Sequence, residues 1–473
     1  MRSSSFAPTM LGVVFVACST TSPNPELAPA APSIAAPPTE EKSPGRSLEA
    51  CQLARKARWT VSEPPSCQSP RTCVDPRGRF WVEGKPFVPR GLYNGGWEYV
   101  KLLANCPEEA ACHEWNPTDV GAFVKMLADA GFNLIQERSR FNKPLLDAVH
   151  AEPRMKFAHL LWSDPFTQQG HDDMVSDIQA AAADPSVVMW FGPDEIDHND
   201  DYPTAAGIRR ILRGSRPDTD KLIQDYPAPA GAEAYLPTNE PAADPMSLPF
   251  GAALAYERGL AVGSRFYELL MPITYPIKKA TSNMNESDWG TWRTGVAVQQ
   301  KQAALPVLQM VGIPEMGLAQ PSASQIRALL GSAIANGALG GFYYTLISDK
   351  PKLAGRDGWF AADDRESWSA FSEMHALEDS LIPVLFSNAT EEAKAGERVK
   401  VEWRTWKLES GERVTLLVNP RATATTVDLA SLVGLREGEE VRTWQTCEAV
   451  DLSARFTLEP YAVSVLETAP VVP

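Results

Sequence analysis

The chain has 473 residues, 44% of them hydrophobic, with 13 Trp and 17 Phe, and carries a formal charge of −15 at pH 7. That much apolar material can fill one large core and a smaller one. The acidic balance argues against nucleic acid or an acidic polymer as partner, because phosphate binding needs clustered Lys and Arg.

Arg2 precedes an apolar run, Met10 to Ala17, that stops at Cys18. So short a run cannot span a bilayer, and its place at the N-terminus suits a secretory signal. Phe15-Val-Ala-Cys18 resembles the lipobox of bacterial lipoproteins, although Phe15 stands where Leu is usual. The resemblance makes residues 1–18 a signal peptide and Cys18 the lipidation site. The membrane is then reached through an N-terminal lipid anchor, and the protein is exported, held to the cell envelope (the outer membrane) or secreted. An ordinary signal peptide with an incidental cysteine is the alternative. Residues 19–50 are rich in Pro, Ala and Ser and predict a solvated linker, since they cannot bury enough surface to offset their ordering entropy. Beyond Cys18 six cysteines remain, an even number that predicts disulfides in an oxidising compartment. Cys106 with Cys112 is the pair singled out, closing a loop of polar and small residues. Without a Cys-x-x-Cys pair, and with few His, no metal site is expected.

From there strands alternate with helices. Phe87 to Tyr93 reads as a first strand after the turn Glu83-Gly84-Lys85, and a helix follows from a cap at Thr118 to Gly131. Further strands are expected at Phe132–Gln136, Lys156–Trp162, Val187–Phe191, Lys221–Asp225, Glu268–Tyr275, Pro306–Val311 and Gly340–Leu346, with helices through Met174 and Ile178 and from Ser324 to Asn336. The segment Ala228–Leu260, rich in Pro and Ala, reads as a cleft wall or as partly helical. Eight strands with intervening helices over residues 75–386 predict a (β/α)8 TIM barrel. No Gly-rich phosphate loop follows a strand, which disfavours nucleotide binding, and no cofactor is expected. After Asn388 the period changes to two: Val399, Val401 and Trp403 alternate with charged residues. Short strands follow at Val414–Val418, Thr425–Leu429, Val441–Trp444 and Ala462–Leu466. Residues 388–469 therefore predict a small C-terminal antiparallel β-sandwich.

The run Val187-Val-Met-Trp-Phe191 carries no charge, stops at Gly192-Pro193 and is followed at once by Asp194-Glu195. A carboxylate at the end of a doubly buried strand stands where α/β folds keep their chemistry. Gly84-Lys-Pro-Phe87, Ala130-Gly-Phe-Asn133, Trp190-Phe-Gly-Pro-Asp-Glu195, Tyr275-Pro-Ile277, Pro306-Val-Leu-Gln309 and Gly337-Ala-Leu-Gly-Gly-Phe-Tyr-Tyr344 resemble, in this order, clan-A glycoside hydrolases. The resemblance spans Arg79 to Glu467 and implies a carbohydrate substrate. It makes Glu195 the acid/base, with Asp194 in the place of the clan's usual Asn. The clan's nucleophile closes strand seven; the nearest carboxylate here is Glu315, a few residues further on.

Glycosidic cleavage needs two carboxyls: one protonates the leaving oxygen and the other attacks or activates water. Glu195 would need a raised pKa, which Trp190 or Phe191 can promote by desolvation and Asp194 by repulsion. Tyr275 can orient the second carboxylate, Trp162 can stack on a sugar, and Glu137 closes strand two; all three also suit plain packing. Asp197, Asn199 and Asp201 imitate the opening of a calcium loop, but the sixth-place Gly is missing and Ile208 stands where a Glu is required. Two other readings stay open: a non-catalytic glycan-binding surface lipoprotein, and a structural envelope protein on the same barrel.

Overall fold

The computed structural model describes residues 48–65, 71–93, 117–137, 143–161, 167–192, 207–208, 212, 248–254, 269–277, 294–295, 297–298, 302–310, 312, 317–344, 347–348, 359–360, 365–394, 399–436, 439–452 and 455–470. Helix α1 (Leu48–Arg58) opens the fold, so its first turn lies inside the segment expected to be linker. Strands β1 (Thr72–Val74), β2 (Phe80–Val82) and β3 (Lys85–Pro86) form an antiparallel meander. Its tight turn needs left-handed backbone at both central residues, Glu83 (φ 52°) and Gly84 (φ 72°), which matches the twist of a hairpin. Phe80 and Val82 join the barrel's interior cluster beside Leu134, Val188 and Leu269 at the strand starts, so the meander plugs the N-terminal end.

The barrel strands are β4 (Arg90–Leu92), β5 (Leu134–Glu137), β6 (Lys156–Leu160), β7 (Val187–Phe191), β8 (Phe250–Leu254), β9 (Leu269–Thr274), the short β10 (Ala303–Ala304), β11 (Val307–Gln309) and β12 (Gly341–Tyr344). All pair in parallel, and β12 meets β4 to close the ring. β10 and β11 both lie along β9 and make one seventh strand, interrupted at Pro306, which has no N–H for the ladder. Between strands run α2 (Pro117–Asp129), α3 (Lys143–Ala151), α4 (Gln168–Ala182), α5 (Ala323–Ala335) and α6 (Arg365–Leu385). Thr118 thus lies within α2 rather than capping it. Ser322 and Gln325 form a reciprocal capping box at the start of α5.

The fifth place in the ring corrects one expectation. It is filled by Phe250–Leu254, from the segment read as a cleft wall; Lys221–Asp225 lies outside the described residues. Phe-Gly-Ala-Ala-Leu has little strand propensity of its own. Packing decides here: a Cβ on Gly251 would sit 2.5 Å from Met271 Cε and 2.9 Å from Leu269 Cβ.

In the C-terminal part, β15 (Thr390–Lys394), β16 (Glu402–Lys407), β17 (Arg413–Val418), β19 (Glu439–Thr443) and β21 (Val463–Pro470) form one antiparallel sheet in the order β15-β16-β17-β21-β19. The pair β18 (Thr425–Val427) and β20 (Phe456–Leu458) covers part of one face, and β13 (Ile347–Ser348) with β14 (Trp359–Phe360) is a separate two-stranded ladder. Leu417, Val441 and Leu466 face the small cluster with Leu458, while Val414, Leu416 and Val418 join the main core. Burial on both faces explains why β17 is apolar nearly throughout. The strand expected at Thr425–Leu429 stops at Val427, because Asp428 accepts the Ser431 N–H (3.2 Å) and caps a short helix, α7 (Leu429–Val433).

Two buried polar assemblies tie the parts together. Cys51 of α1 is bonded to Cys447, 396 residues away, and the Arg55 guanidinium meets Glu467 (2.7 Å) over the face of Trp444. Cys73 is also disulfide-bonded; Cys106 and Cys112 lie outside the described residues. At the start of β4, Arg90 binds Glu378 (2.7 Å) and Asp379 of α6. Nearby, His375 Nδ1 donates to the Ala130 carbonyl (2.8 Å) and Nε2 accepts from the Tyr343 hydroxyl (2.9 Å). Gly131 (φ 86°) has no room for a side chain, since a Cβ would lie 2.7 Å from His375 Cβ, and Asn133 bonds the Arg90 N–H and the Val88 carbonyl. The Ala130–Asn133 motif is therefore architectural.

Burial, aided by the Arg90 charge, pushes His375 down to about 3. Its stabilising effect as a neutral ring is complete above the unfolded value near 6.5 and is lost as pH falls from there toward 3, on the order of 4 kcal/mol. Burial holds the Glu378 carboxyl above its ordinary range despite Arg90, so protonating Glu378 offsets part of that loss at the acid end. In denaturant titrations at stepped pH, His375→Gln should show a shallower decline than wild type between pH 6.5 and 4; parallel curves would contradict the assignment. The double variant Cys51→Ser/Cys447→Ser should lose about 2–5 kcal/mol of unfolding free energy, because so long a loop strongly restricts the unfolded chain. An unchanged denaturation midpoint would show the bridge to be idle.

Candidate active site

Alternation sets which side chains reach the barrel mouth. Leu134, Leu160, Phe191, Ala253, Met271, Val307 and Phe342 belong to the interior cluster, whereas Leu92, Ile135, Phe157, Trp190, Leu270, Leu308 and Tyr343 face the helices. Counting on from these, Tyr93, Gln136, Tyr275, Gln309 and Tyr344 take inward positions at the C-terminal ends of their strands.

Three tyrosines make a continuous aromatic patch there. Tyr93 meets Phe191 edge-on (5.5 Å between centroids, 70°) and Tyr344 likewise (5.9 Å, 80°). Tyr275 lies nearly flat on Tyr344 (5.8 Å, 28°). Tyr93 is buried, and Tyr275 and Tyr344 are half-buried, so the outer pair forms the solvent-facing edge of the patch. Of the rings invoked to desolvate Glu195, Phe191 is on the inner side; Trp190 packs outward, with the His159 ring edge-on to it at 5.6 Å and 90°.

The sequence-predicted residues divide accordingly. Tyr275 is at the mouth. Glu137, beyond outward-facing Ile135 and in register with His159, belongs to the helix side of the wall, and the inward polar group of that strand is Gln136. Asp194, Glu195, Glu315, Trp162 and Cys18 lie outside the described residues. Gln136, Gln309 and Tyr344 were missed; the signal available was a polar or aromatic residue closing an apolar strand in inward phase.

Gln309 ends the seventh strand and is 1% exposed. Its amide oxygen accepts the Ile277 N–H (2.8 Å), and its amide nitrogen donates to the carbonyls of Ile277 (3.1 Å) and Ala319 (2.8 Å). The strand-end position that the resemblance gives to a nucleophile thus holds a carboxamide. Among the described residues, no group of three or more His, Cys, Asp or Glu side chains is placed to hold a metal. A cleft of about 740 Å³ lies elsewhere, on the barrel flank among α1, α5, α6 and the C-terminal sheet, lined by Lys56, Trp59, Leu377 and Val463. Its acids, Glu373 and Asp379, are bound to Arg327 and Arg90, so it offers no carboxylate pair for chemistry.

No family model and no curated protein matches the chain. Among solved structures, a glycoside hydrolase of family 5 from Bacteroides vulgatus superposes with a TM-score of 0.51 at 11% identity, over 85% of this chain and 94% of its own. A family 27 β-L-arabinopyranosidase from Geobacillus stearothermophilus, solved with arabinose, gives 0.46 at 12% identity, over 81% and 97%. Amy13B of Eubacterium rectale gives 0.46 at 9% identity, over 75% and 92%. The likeness to the family 5 enzyme is one of fold, and at that level the resemblance to clan-A glycoside hydrolases holds: the chain is a (β/α)8 barrel with an antiparallel C-terminal sheet.

Proposed function

We propose that the protein is an exported glycoside hydrolase acting on a poly- or oligosaccharide at the C-terminal mouth of the barrel. The observation that carries this reading is the convergence at that mouth. The doubly buried β7 ends there four residues before Glu195, and the half-buried pair Tyr275 and Tyr344 forms an apolar, ring-sized edge on the same side of the barrel. A pyranose presents C–H faces to such rings and hydroxyls to polar neighbours, which suits a mouth that mixes tyrosines with amides. In this reading Glu195 protonates the glycosidic oxygen as the bond breaks and then deprotonates the incoming water, and Glu315 supplies the second carboxylate. Asp194 beside Glu195 disfavours a second negative charge and helps to keep the acid protonated. Export with a lipid anchor at Cys18 is part of the same proposal; the Cys51–Cys447 bridge supports an oxidising compartment.

One observation favours a second reading, a surface protein that binds glycans without cleaving them. Gln309 spends its amide on backbone groups at the strand end, where a carboxylate would otherwise act.

A panel of 4-nitrophenyl glycosides and soluble polysaccharides, assayed for release and for binding, separates the two. Glu195→Gln should reduce hydrolysis by about 10²-fold or more while leaving binding intact, because Gln cannot give or take the proton. Tyr344→Ala should weaken binding about tenfold in the same assay. Hydrolysis unchanged by Glu195→Gln would remove Glu195 from the mechanism, and binding without any release would select the second reading.

A further inference from the structure

The two tyrosines at the solvent-facing edge of the mouth come from strands that are not neighbours. Tyr344 ends β12, Tyr275 follows β9, and β11 runs between them. Gln309 ends that middle strand and holds both sides. Its main chain is in register with Tyr344, and the next N–H, that of Met310, donates to the Tyr344 carbonyl (2.8 Å). On the other side the ladder between β11 and β9 stops at Leu308 and Thr274, and Pro276 has no N–H with which to prolong it. There the Gln309 side chain takes over. Its amide oxygen accepts the Ile277 N–H (2.8 Å) while its nitrogen donates to the Ile277 carbonyl (3.1 Å), as a neighbouring peptide unit would. The same nitrogen donates to the Ala319 carbonyl (2.8 Å), and the Ala319 N–H returns to the Ile277 carbonyl (2.9 Å). Gln309 is 1% and Ile277 2% exposed, so these bonds are sheltered from water.

We propose that Gln309 is a positioning residue of the saccharide site. With its main chain on Tyr344 and its side chain on Ile277, it sets Tyr275 against Tyr344 so that the two rings (5.8 Å, 28°) present one platform. The proposal rests on the reading that sugar binds at the mouth, which the cleaving and the non-cleaving protein share. The chemistry accounts for the residue type. A carboxylate at 309 accepts from Ile277 but has nothing to give to the carbonyls of Ile277 and Ala319. An apolar side chain there leaves the buried Ile277 N–H without its acceptor. Tyr275 lies two residues before that anchor, and across so short a stretch, stiffened by Pro276, a fixed Ile277 fixes where the ring starts. Rings held in advance can stack on a sugar without first being ordered, and affinity is gained by that saving.

The test uses the full chain and isothermal titration. The probe is the member of the panel above, extended by cellohexaose, mannohexaose and maltohexaose, that wild type binds most tightly. Tyr275→Ala should weaken binding about tenfold and Gln309→Met about fivefold. Together they should weaken it no more than about tenfold, because Gln309 acts through the ring that Tyr275→Ala removes. A role in structure alone would multiply the two losses, to about fiftyfold. Wild type supplies a second measurement that needs no variant to fold. Amide exchange at Ile277 should slow about threefold or more when the probe is bound, with Val441 in the C-terminal sheet unchanged. Multiplied losses in the double variant would overturn the positioning role, as would a Gln309→Met chain that binds like wild type. Ile277 exchange that ignores the probe would overturn it too. A wild-type chain that binds no member of the panel would instead overturn the mouth as a saccharide site, and the proposal with it.

Discussion

A parallel strand pair cannot be joined by a tight turn, and an open parallel sheet leaves backbone groups unpaired along two edges; closing the ring removes both. Everything functional in this chain depends on that closure. Close approaches mark it at β12 and β4, where Gly91 gives way to the Phe342 ring, and at β8 and β9, where Gly251 gives way to Met271 and Leu269. With the ring closed, side-chain direction follows from alternation alone, and one end of the barrel acquires Tyr93, Gln136, Tyr275, Gln309 and Tyr344 from strands far apart in sequence.

The other end of the barrel is given over to stability. The β1–β3 meander fills it with Phe80 and Val82, and Arg90, Glu378, His375 and Tyr343 form a buried polar assembly between β4, β12 and α6. Such an assembly gains little over a well-packed apolar one, but losing any partner leaves a desolvated group behind, so it fixes α6 in one place. Since α5 and the C-terminal sheet pack together, with Gly331 allowing Val463 and Val418 close to the helix, the sheet extends the same scaffold. The disulfide and the Arg55–Glu467 pair then fasten α1 to that sheet.

Much of this was legible in the sequence, for identifiable reasons. Val187–Phe191 could be read because an uncharged run between Pro and Gly has few alternatives, and β17 because its register and length match a strand. The fifth barrel strand could not be read: Phe250–Leu254 is a strand because of what surrounds Gly251, and nothing local says so. The bridge between Cys51 and Cys447 was equally hidden, since pairing over 396 residues reflects tertiary proximity rather than spacing. At the site, Tyr275 emerged from its place after a strand. Gln136 and Gln309 did not, because an amide that ends an apolar run looks like any polar residue until the inward phase of its strand is known. Glu137 illustrates the converse: being one residue out of phase moves it from the mouth to the wall.

The central claim is that sugar binds at the strand ends with Glu195 against the scissile bond. A crystal structure of the Glu195→Gln variant soaked with a bound oligosaccharide tests it most directly. The account predicts a sugar ring on the Tyr275–Tyr344 edge, with the residue 195 amide within hydrogen-bond reach of a glycosidic oxygen. A sugar seated instead in the flank cleft beside Trp59, with the mouth unliganded, would contradict it.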